Sequence, residues 1–339
     1  MNFKNIFLIS FLLTACDAQQ NKNAEKTQTS SKKLETSQIT IPQHPDQDCD
    51  ELSQEIKLIN EKSTIEALKN TNQKIKKCIP SLSSEQRYTL IEQTGEMYGR
   101  FLMTKSGNES LEGLNAYGYA KFYPEYAPES ALTLKKKLTK RDQYLIDQID
   151  TEYIQFLDTG EGYFDLRLHP QYFIDYFVPH LPKDEAIFIE KMANDNKDIL
   201  YSDSSIAISG KELAERAYFW ENYIKTFPNS NFIKEAKYLL NEYKKLIFIG
   251  LDNSPAFSFQ DHHFKIEEET NKATYWLMDQ KDTQLTLAAQ FYHEMLAESY
   301  PELSDLSEAY EFVQKRMGIE EKFRKEYDCH SGVLCFPTP

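Results

Sequence analysis

Residues 210–250 read GKELAERAYFWENYIKTFPNSNFIKEAKYLLNEYKKLIFIG, and this stretch indicates the fold class most clearly. Apolar residues recur along it at steps of three and four: Leu213, Ala217, Trp220 and Ile224 before a break, and Phe232, Ala236, Leu239, Tyr243 and Ile247 after it. This spacing is typical of a helix with one inward face. The break Phe227-Pro228-Asn229-Ser230 ends one helix and caps the next. The stretch therefore predicts two paired helices, with Trp220 in the core.

The same 40 or so residues resemble the tetratricopeptide-like helical repeats of periplasmic proteins. The resemblance rests on the aromatic-Pro-Asn-Ser turn and on Ala236, which stands eight residues beyond Pro228. It implies an all-α fold of stacked helical hairpins, like an α-solenoid. No convincing second copy of the motif follows, so the resemblance implies helical pairing rather than a regular array.

Other helices are expected from similar periodicity. One begins near Asp50, a second is capped by Ser63 with Glu66, and a third starts at about Ser83. Further helices are predicted near 130–157, 170–178 and 183–199, then a loop over 251–279 and two more helices. No alternation long enough to predict a sheet is present.

The first sixteen residues have the zones of an export signal, with Lys4 before a short apolar run. This run of about eight residues is too short to cross a bilayer, which takes roughly 20. It ends in Leu13-Thr14-Ala15-Cys16. These four residues resemble the lipobox of bacterial lipoproteins, which implies that Cys16 is acylated and becomes the first residue of the mature chain.

Asp17 resembles the signal that retains enteric lipoproteins in the inner membrane, and the outer membrane is the alternative. The residues that follow are mostly polar, a composition typical of a flexible stalk. The segments expected from the sequence are a signal peptide (1–15), the lipidated cysteine with its linker (16–47), a helical hairpin with a third helix (48–105), an aromatic-rich helical region (106–209) and a tetratricopeptide-like helical region (210–339).

Charge and cysteine usage restrict the partners. The net charge of −14 disfavours nucleic acid as a partner. Apart from Cys16, the four remaining cysteines form an even set, which in an exported chain predicts disulfides. Three pairings are possible, and we favour Cys49 with Cys78, which an antiparallel hairpin brings together, and Cys329 with Cys335.

The chain offers little that indicates a metal or cofactor. His293-Glu294 begins like the zinc motif H-E-x-x-H, but Ala297 occupies the place of the second histidine. Asp261-His262-His263 needs distant partners to complete a tetrahedral site. Cys329-His330 is interpreted as a disulfide beside an incidental histidine. We therefore expect no metal and no cofactor.

One aromatic and acidic cluster is the candidate binding or catalytic site. Glu161 and Asp165 flank Tyr163 and Phe164, and paired carboxylates beside aromatic rings are typical of glycosidases. Aromatic residues also fill helical cores or line binding faces. The first hypothesis is a non-catalytic lipoprotein that binds another envelope protein, as an assembly accessory or as an inhibitor or immunity factor. The alternative is a cell-wall (peptidoglycan) enzyme that uses the carboxylates near Glu161.

Overall fold

The computed structural model describes residues 47–103, 108–281, 283–319, 327–330 and 332–337. These residues lie in one compact unit that is mostly helical, as the sequence predicts. In chain order the α-helices are α1 (Gln47–Asp50), α2 (Leu52–Leu58), α3 (Ile65–Cys78), α4 (Ser84–Leu102), α5 (Asn108–Phe122), α6 (Ala131–Lys135), α7 (Lys140–Ile146), α8 (Gln171–Tyr176), α9 (Lys183–Asp195), α10 (Gly210–Thr226), α11 (Ile233–Phe248), α12 (Glu268–Met278), α13 (Gln284–Leu296) and α14 (Leu306–Arg316).

Short β-hairpins lie between the helices. These hairpins were not predicted from the sequence. The strands are β1 (Ile154–Gly160), β2 (Tyr163–Leu168), β3 (Tyr201–Ser202), β4 (Ser205–Ile206), β5 (Gly250–Leu251), β6 (Ser254–Pro255), β7 (Phe257–Gln260), β8 (His263–Ile266), β9 (Tyr327–Asp328) and β10 (Phe336–Pro337). Within the described residues they pair antiparallel, two by two. The loop expected over 251–279 is also wrong, because it contains strands and α12.

The single helix expected over 130–157 is wrong: the range contains two short helices, α6 and α7, and no helix continues from Ile146 into β1. Asp150, Glu152 and Tyr153 have positive φ angles, and such a backbone cannot continue a right-handed helix. The chain then enters β1 and returns through β2, with Ile154 opposite Leu168. At the turn, Gly160 has φ +91°, a conformation that favours glycine.

The N-terminal helical hairpin is as expected apart from its cap. Cys49 and Cys78 form a disulfide that joins the start of this hairpin to the end of α3. The N-cap of α3 is Thr64, whose hydroxyl accepts from the Ala67 amide, so the predicted Ser63–Glu66 capping box is wrong. The Ser63 hydroxyl instead accepts from the Asn60 amide. Both Thr64 and Ser63 can cap, and only the backbone geometry selects between them.

Helices α10 and α11 form the predicted pair, and their contact lies in the main core. Trp220 is fully buried, with its ring 5.2 Å from that of Phe188 in α9. The prediction that Trp220 is a core residue is thus confirmed. A second, smaller core forms where α5 packs on β1 and β2, around Phe156 and Phe164.

None of the helices in the described ranges combines the length and the apolar character that crossing a membrane requires.

Candidate functional site

An open groove of about 500 Å³ runs along one side of α4. Residues 91–102 of α4 form its floor, residues 166–168 of β2 form one side, and residues 332–334 form the other. The stretch of α4 is about 16 Å long at 1.5 Å per residue. Both the volume and the length suit a small ligand or a short peptide segment.

Two glycines on α4 keep the floor of the groove open. Gly95 and Gly99 are exposed, and a Cβ atom added to either one meets no atom within 4 Å. By contrast, a Cβ on Gly118 of α5 lies 2.2 Å from the Phe164 ring, so that glycine is needed for internal packing. Glycine costs a helix about 1 kcal/mol relative to alanine. The described fold does not use the space in front of Gly95 and Gly99.

The side of the groove made by β2 is a free strand edge. Among the described residues β2 pairs only with β1. The His169 amide donates to the Tyr153 carbonyl on the β1 side, whereas the Phe164 amide donates away from β1 to Asn115 Oδ1 at 3.0 Å. Because this direction alternates along a strand, the amides and carbonyls of Leu166 and Leu168 also point away from β1.

The opposite side is a loop closed by the Cys329–Cys335 disulfide. The Asn196 side-chain amide donates to the carbonyl oxygens of Cys329 at 2.9 Å and Gly332 at 2.6 Å. Asn196 is the C-cap of α9 and is buried. The loop is therefore fixed to the end of α9.

Arg167 joins β2 to the same helix end. Its Nη2 donates to the carbonyl oxygens of Asn196 at 2.8 Å and Lys197 at 2.7 Å, and its Nε donates to Gln155 Oε1 at 2.9 Å. Burial lowers the pKa of Arg167. These acceptors engage the guanidinium, so Arg167 positions the edge strand.

The floor is anchored through Tyr98. Its hydroxyl donates to the Glu152 carbonyl at 2.6 Å and accepts from the Asn72 amide at 2.8 Å. Burial raises the pKa of Tyr98, so this hydroxyl remains a donor. The Tyr172 hydroxyl donates to Asn72 Oδ1 at 3.2 Å and extends the buried network. Helix α4 is thus held rigidly against α3 and the chain before β1.

The rim of the groove is acidic. Glu92 and Glu96 lie one turn apart on α4, line the groove and are exposed. The side chain of Glu96 is 71% exposed, and its carboxylate lies 3.7 Å from the Arg100 guanidinium, a distance typical of a weak surface pair. The groove therefore combines apolar walls and a free strand edge with negative charge at its opening.

The aromatic and acidic cluster singled out from the sequence lies on the β1–β2 hairpin. Glu161 is in the turn, and Asp165 and Tyr163 are exposed on β2. Phe164 is only 1% exposed and packs in the smaller core. The hairpin thus divides the four residues between its surface and its buried face. Neither carboxylate is among the residues that line the groove.

Two of the histidine motifs, at residues 261–263 and at His293, do not line the groove. Asp261 and His262 form the β7–β8 turn, where His262 Nδ1 lies 3.2 Å from the Leu303 carbonyl. His293 Nε2 is 2.8 Å from the Thr274 hydroxyl, and burial lowers the pKa of His293. In the part of the chain that the structure describes, no group of three or more potential ligands could hold a metal.

Gly95 and Gly99 were missed in the sequence, although their i, i+4 spacing on the exposed face of an amphipathic helix was a usable signal. The remaining candidate residues, Cys16 and Asp17, lie outside the described residues. Comparison with known proteins found no matching family model, no similar curated protein and no similar solved structure.

Proposed function

We propose that the chain is a membrane-anchored periplasmic lipoprotein whose folded unit binds another envelope protein through the groove between α4 and β2. Its role is that of a non-catalytic scaffold, as an assembly accessory or as an inhibitor or immunity factor. The lipobox ending in Cys16 supports the anchor. Asp17 favours the inner membrane, with the outer membrane as the alternative.

The unfilled space above Gly95 and Gly99 is the observation that carries the proposal. Two exposed glycines in one helix cost roughly 2 kcal/mol of helix stability, and the described fold gains no packing in return. Glycine permits the close approach of another backbone. A partner segment that enters the groove would use this space.

The geometry favours binding over the cell-wall enzyme. Glu161 and Asp165 are exposed on a hairpin rather than aimed into the groove, so the proposal contains no catalytic step. We also propose that the α10–α11 pair is related to tetratricopeptide-like repeats of periplasmic lipoproteins. The supporting observation is the turn at Phe227-Pro228 between two packed helices.

Crosslinking in intact cells tests the binding function. The wild type, a Gly95→Leu/Gly99→Leu variant and a Gln290→Leu control are crosslinked and purified from envelope extracts. Gln290 is an exposed residue of α13, so the control adds the same side chain outside the groove. We expect a crosslinked partner with the wild type and the control, and its loss with the glycine variant. Equal capture by all three proteins, or none by the wild type, would overturn the proposal.

Fatty-acid labelling tests the anchor. Cells that express the wild type should incorporate a labelled fatty acid into the protein, and the Cys16→Ser variant should not. An unlabelled wild type, released as free periplasmic protein, would contradict membrane anchoring.

A further inference from the structure

We infer that the groove takes an extended segment rich in lysine or arginine, which adds to the free edge of β2 as a third strand. The inference rests on the proposed function and specifies the kind of partner segment that binds. It follows from the strand edge, the dimensions of the groove and the charge of its rim.

The edge of β2 has the properties of a template for strand addition. Proteins usually protect a free edge with proline, exposed lysine, a bulge or a covering element. Near Phe164 the edge is covered by Asn115 of α5, but residues 166–168 open onto the groove. Leu166 and Leu168 are only partly buried, and their amides and carbonyls point away from β1. An added strand would give these groups hydrogen-bond partners.

The dimensions fit one short strand. The open part of the β2 edge, residues 166–168, is about 10 Å long at 3.3 Å per residue and can pair with about three residues of an added strand. In a strand, alternate side chains point to opposite faces. One set would point toward Gly95 and Gly99, where the missing Cβ atoms leave room, and the other set toward solvent.

The rim selects a cationic segment. Glu92 and Glu96 are both exposed at the opening, and the whole chain carries a net charge of −14. The cationic group among the lining residues, Arg167, is bound to the carbonyls of Asn196 and Lys197. Complementary charge speeds encounter and rejects like-charged partners. A second copy of this acidic chain is thus a poor occupant.

A peptide library tests the inference. Random heptapeptides displayed on phage are selected against the full chain, and the strongest binder is synthesised. We expect lysine or arginine to be enriched over the input library. Two methylated versions of the peptide are then made. One carries methyl groups on the odd-numbered backbone nitrogens and the other on the even-numbered ones.

If the peptide adds as a strand, the two methylated versions should differ in their affinity for the protein. The version methylated on the amides that face β2 should bind about tenfold or more weakly, the loss expected when two or more backbone hydrogen bonds disappear. The other version should bind within about threefold of the parent peptide, since those amides point away from β2. Equal effects of the two methylation patterns would overturn strand addition.

Charge selection is tested on the protein. Glu92→Gln/Glu96→Gln should weaken the peptide about fivefold or more at low salt, and the effect should shrink at high salt because screening weakens exposed charge pairs. Glu294→Gln, an exposed site on α13, is the matched control and should bind like the wild type. Selection of peptides without basic residues would overturn the inference.

The outcomes separate the inference from the proposed function. If Gly95→Leu/Gly99→Leu abolishes partner capture while peptides bind without dependence on methylation pattern or charge, the binding function holds and strand addition fails. If partner capture is unaffected by that variant, the proposed function itself fails.

Discussion

The side-chain amide of Asn196 donates a 2.9 Å hydrogen bond to the carbonyl oxygen of Cys329. A second bond, to the Gly332 carbonyl, comes from the same nitrogen. One buried side chain at the end of α9 therefore helps to position the loop that forms a side of the groove, together with the burial of Val333 and Leu334 in the main core.

Replacing Asn196 with alanine should loosen this loop. The two carbonyls lose their partner, and an unmade buried hydrogen bond costs about 1–3 kcal/mol. Amide hydrogen exchange should therefore become faster in residues 332–334 and remain unchanged in α3. Asn194→Ala, an exposed site on the same helix, is the control. Unchanged exchange in the loop would show that other contacts hold it.

Replacing the groove glycines with alanine should stabilise the protein. Gly95→Ala and Gly99→Ala should each raise the free energy of unfolding by about 0.5–1 kcal/mol, because alanine favours the helix and the added methyl group meets open space. Urea unfolding of the purified chain measures the change. A loss of stability would mean that another part of the protein occupies the space.

Gly118→Ala is the matched comparison, and it should lower the free energy of unfolding instead of raising it. It lies in α5, and its added Cβ would sit 2.2 Å from the Phe164 ring. Overpacking of this kind costs about 1–3 kcal/mol. Urea unfolding should therefore show a net loss of stability despite the better helix propensity of alanine. A gain would indicate that the Phe164 ring moves aside easily.

Trp220→Ala should destabilise the protein by about 3–5 kcal/mol, because it leaves a large cavity in the main core. The Trp220 ring is fully buried and lies 5.2 Å from the Phe188 ring. Thermal unfolding should show a large fall in Tm. Trp276→Ala, at the chain's other tryptophan, should cost less because that side chain is only partly buried. Equal losses would contradict the assignment of Trp220 to the core.

The stability should depend on pH through His293. Burial lowers the pKa of His293 below 6.5, so the folded state favours the neutral ring. The stability that the folded protein gains from holding His293 neutral is fully present above pH 6.5. It is lost as the pH falls toward the lowered pKa, because the unfolded chain then binds a proton that the folded protein does not. The stability difference between the wild type and His293→Gln should therefore shrink from pH 7.5 to pH 5.5. Urea unfolding at both values measures it, and a constant difference would rule out this linkage.

Helices with a clear inward face could be predicted from the sequence. The spacing of Leu213, Ala217 and Trp220 predicts α10, and Ser83 marks the start of α4 as its N-cap. The β1–β2 hairpin was missed, although Phe164, Leu166 and Leu168 of β2 alternate with polar residues, a usable strand signal. In β1 the alternation is broken by Leu157 after Phe156. The formation of the hairpin depends on the positive φ angles between Asp150 and Tyr153, which the residue types do not specify.

The groove was harder to predict than the helices. Gly95 and Gly99 are visible in the sequence, but their significance depends on the empty space beside them. The loop at residues 332–334 reaches the groove through tertiary contacts: Asn196 binds the Gly332 carbonyl, and Val333 and Leu334 pack in the main core. A local pattern cannot show which distant segments meet, whereas the disulfide partner of Cys49 could be inferred because a hairpin brings it near.

The side of the groove formed by residues 332–334 has a consequence for the timing of assembly. A ribosome makes the chain from its amino terminus, so α4 and β2 are synthesised long before this loop. A nascent chain that has not yet reached this loop would present the edge of β2 with one side of the groove missing. On the proposed binding function, a partner can contact both sides of the groove only after residues 332–334 have been synthesised.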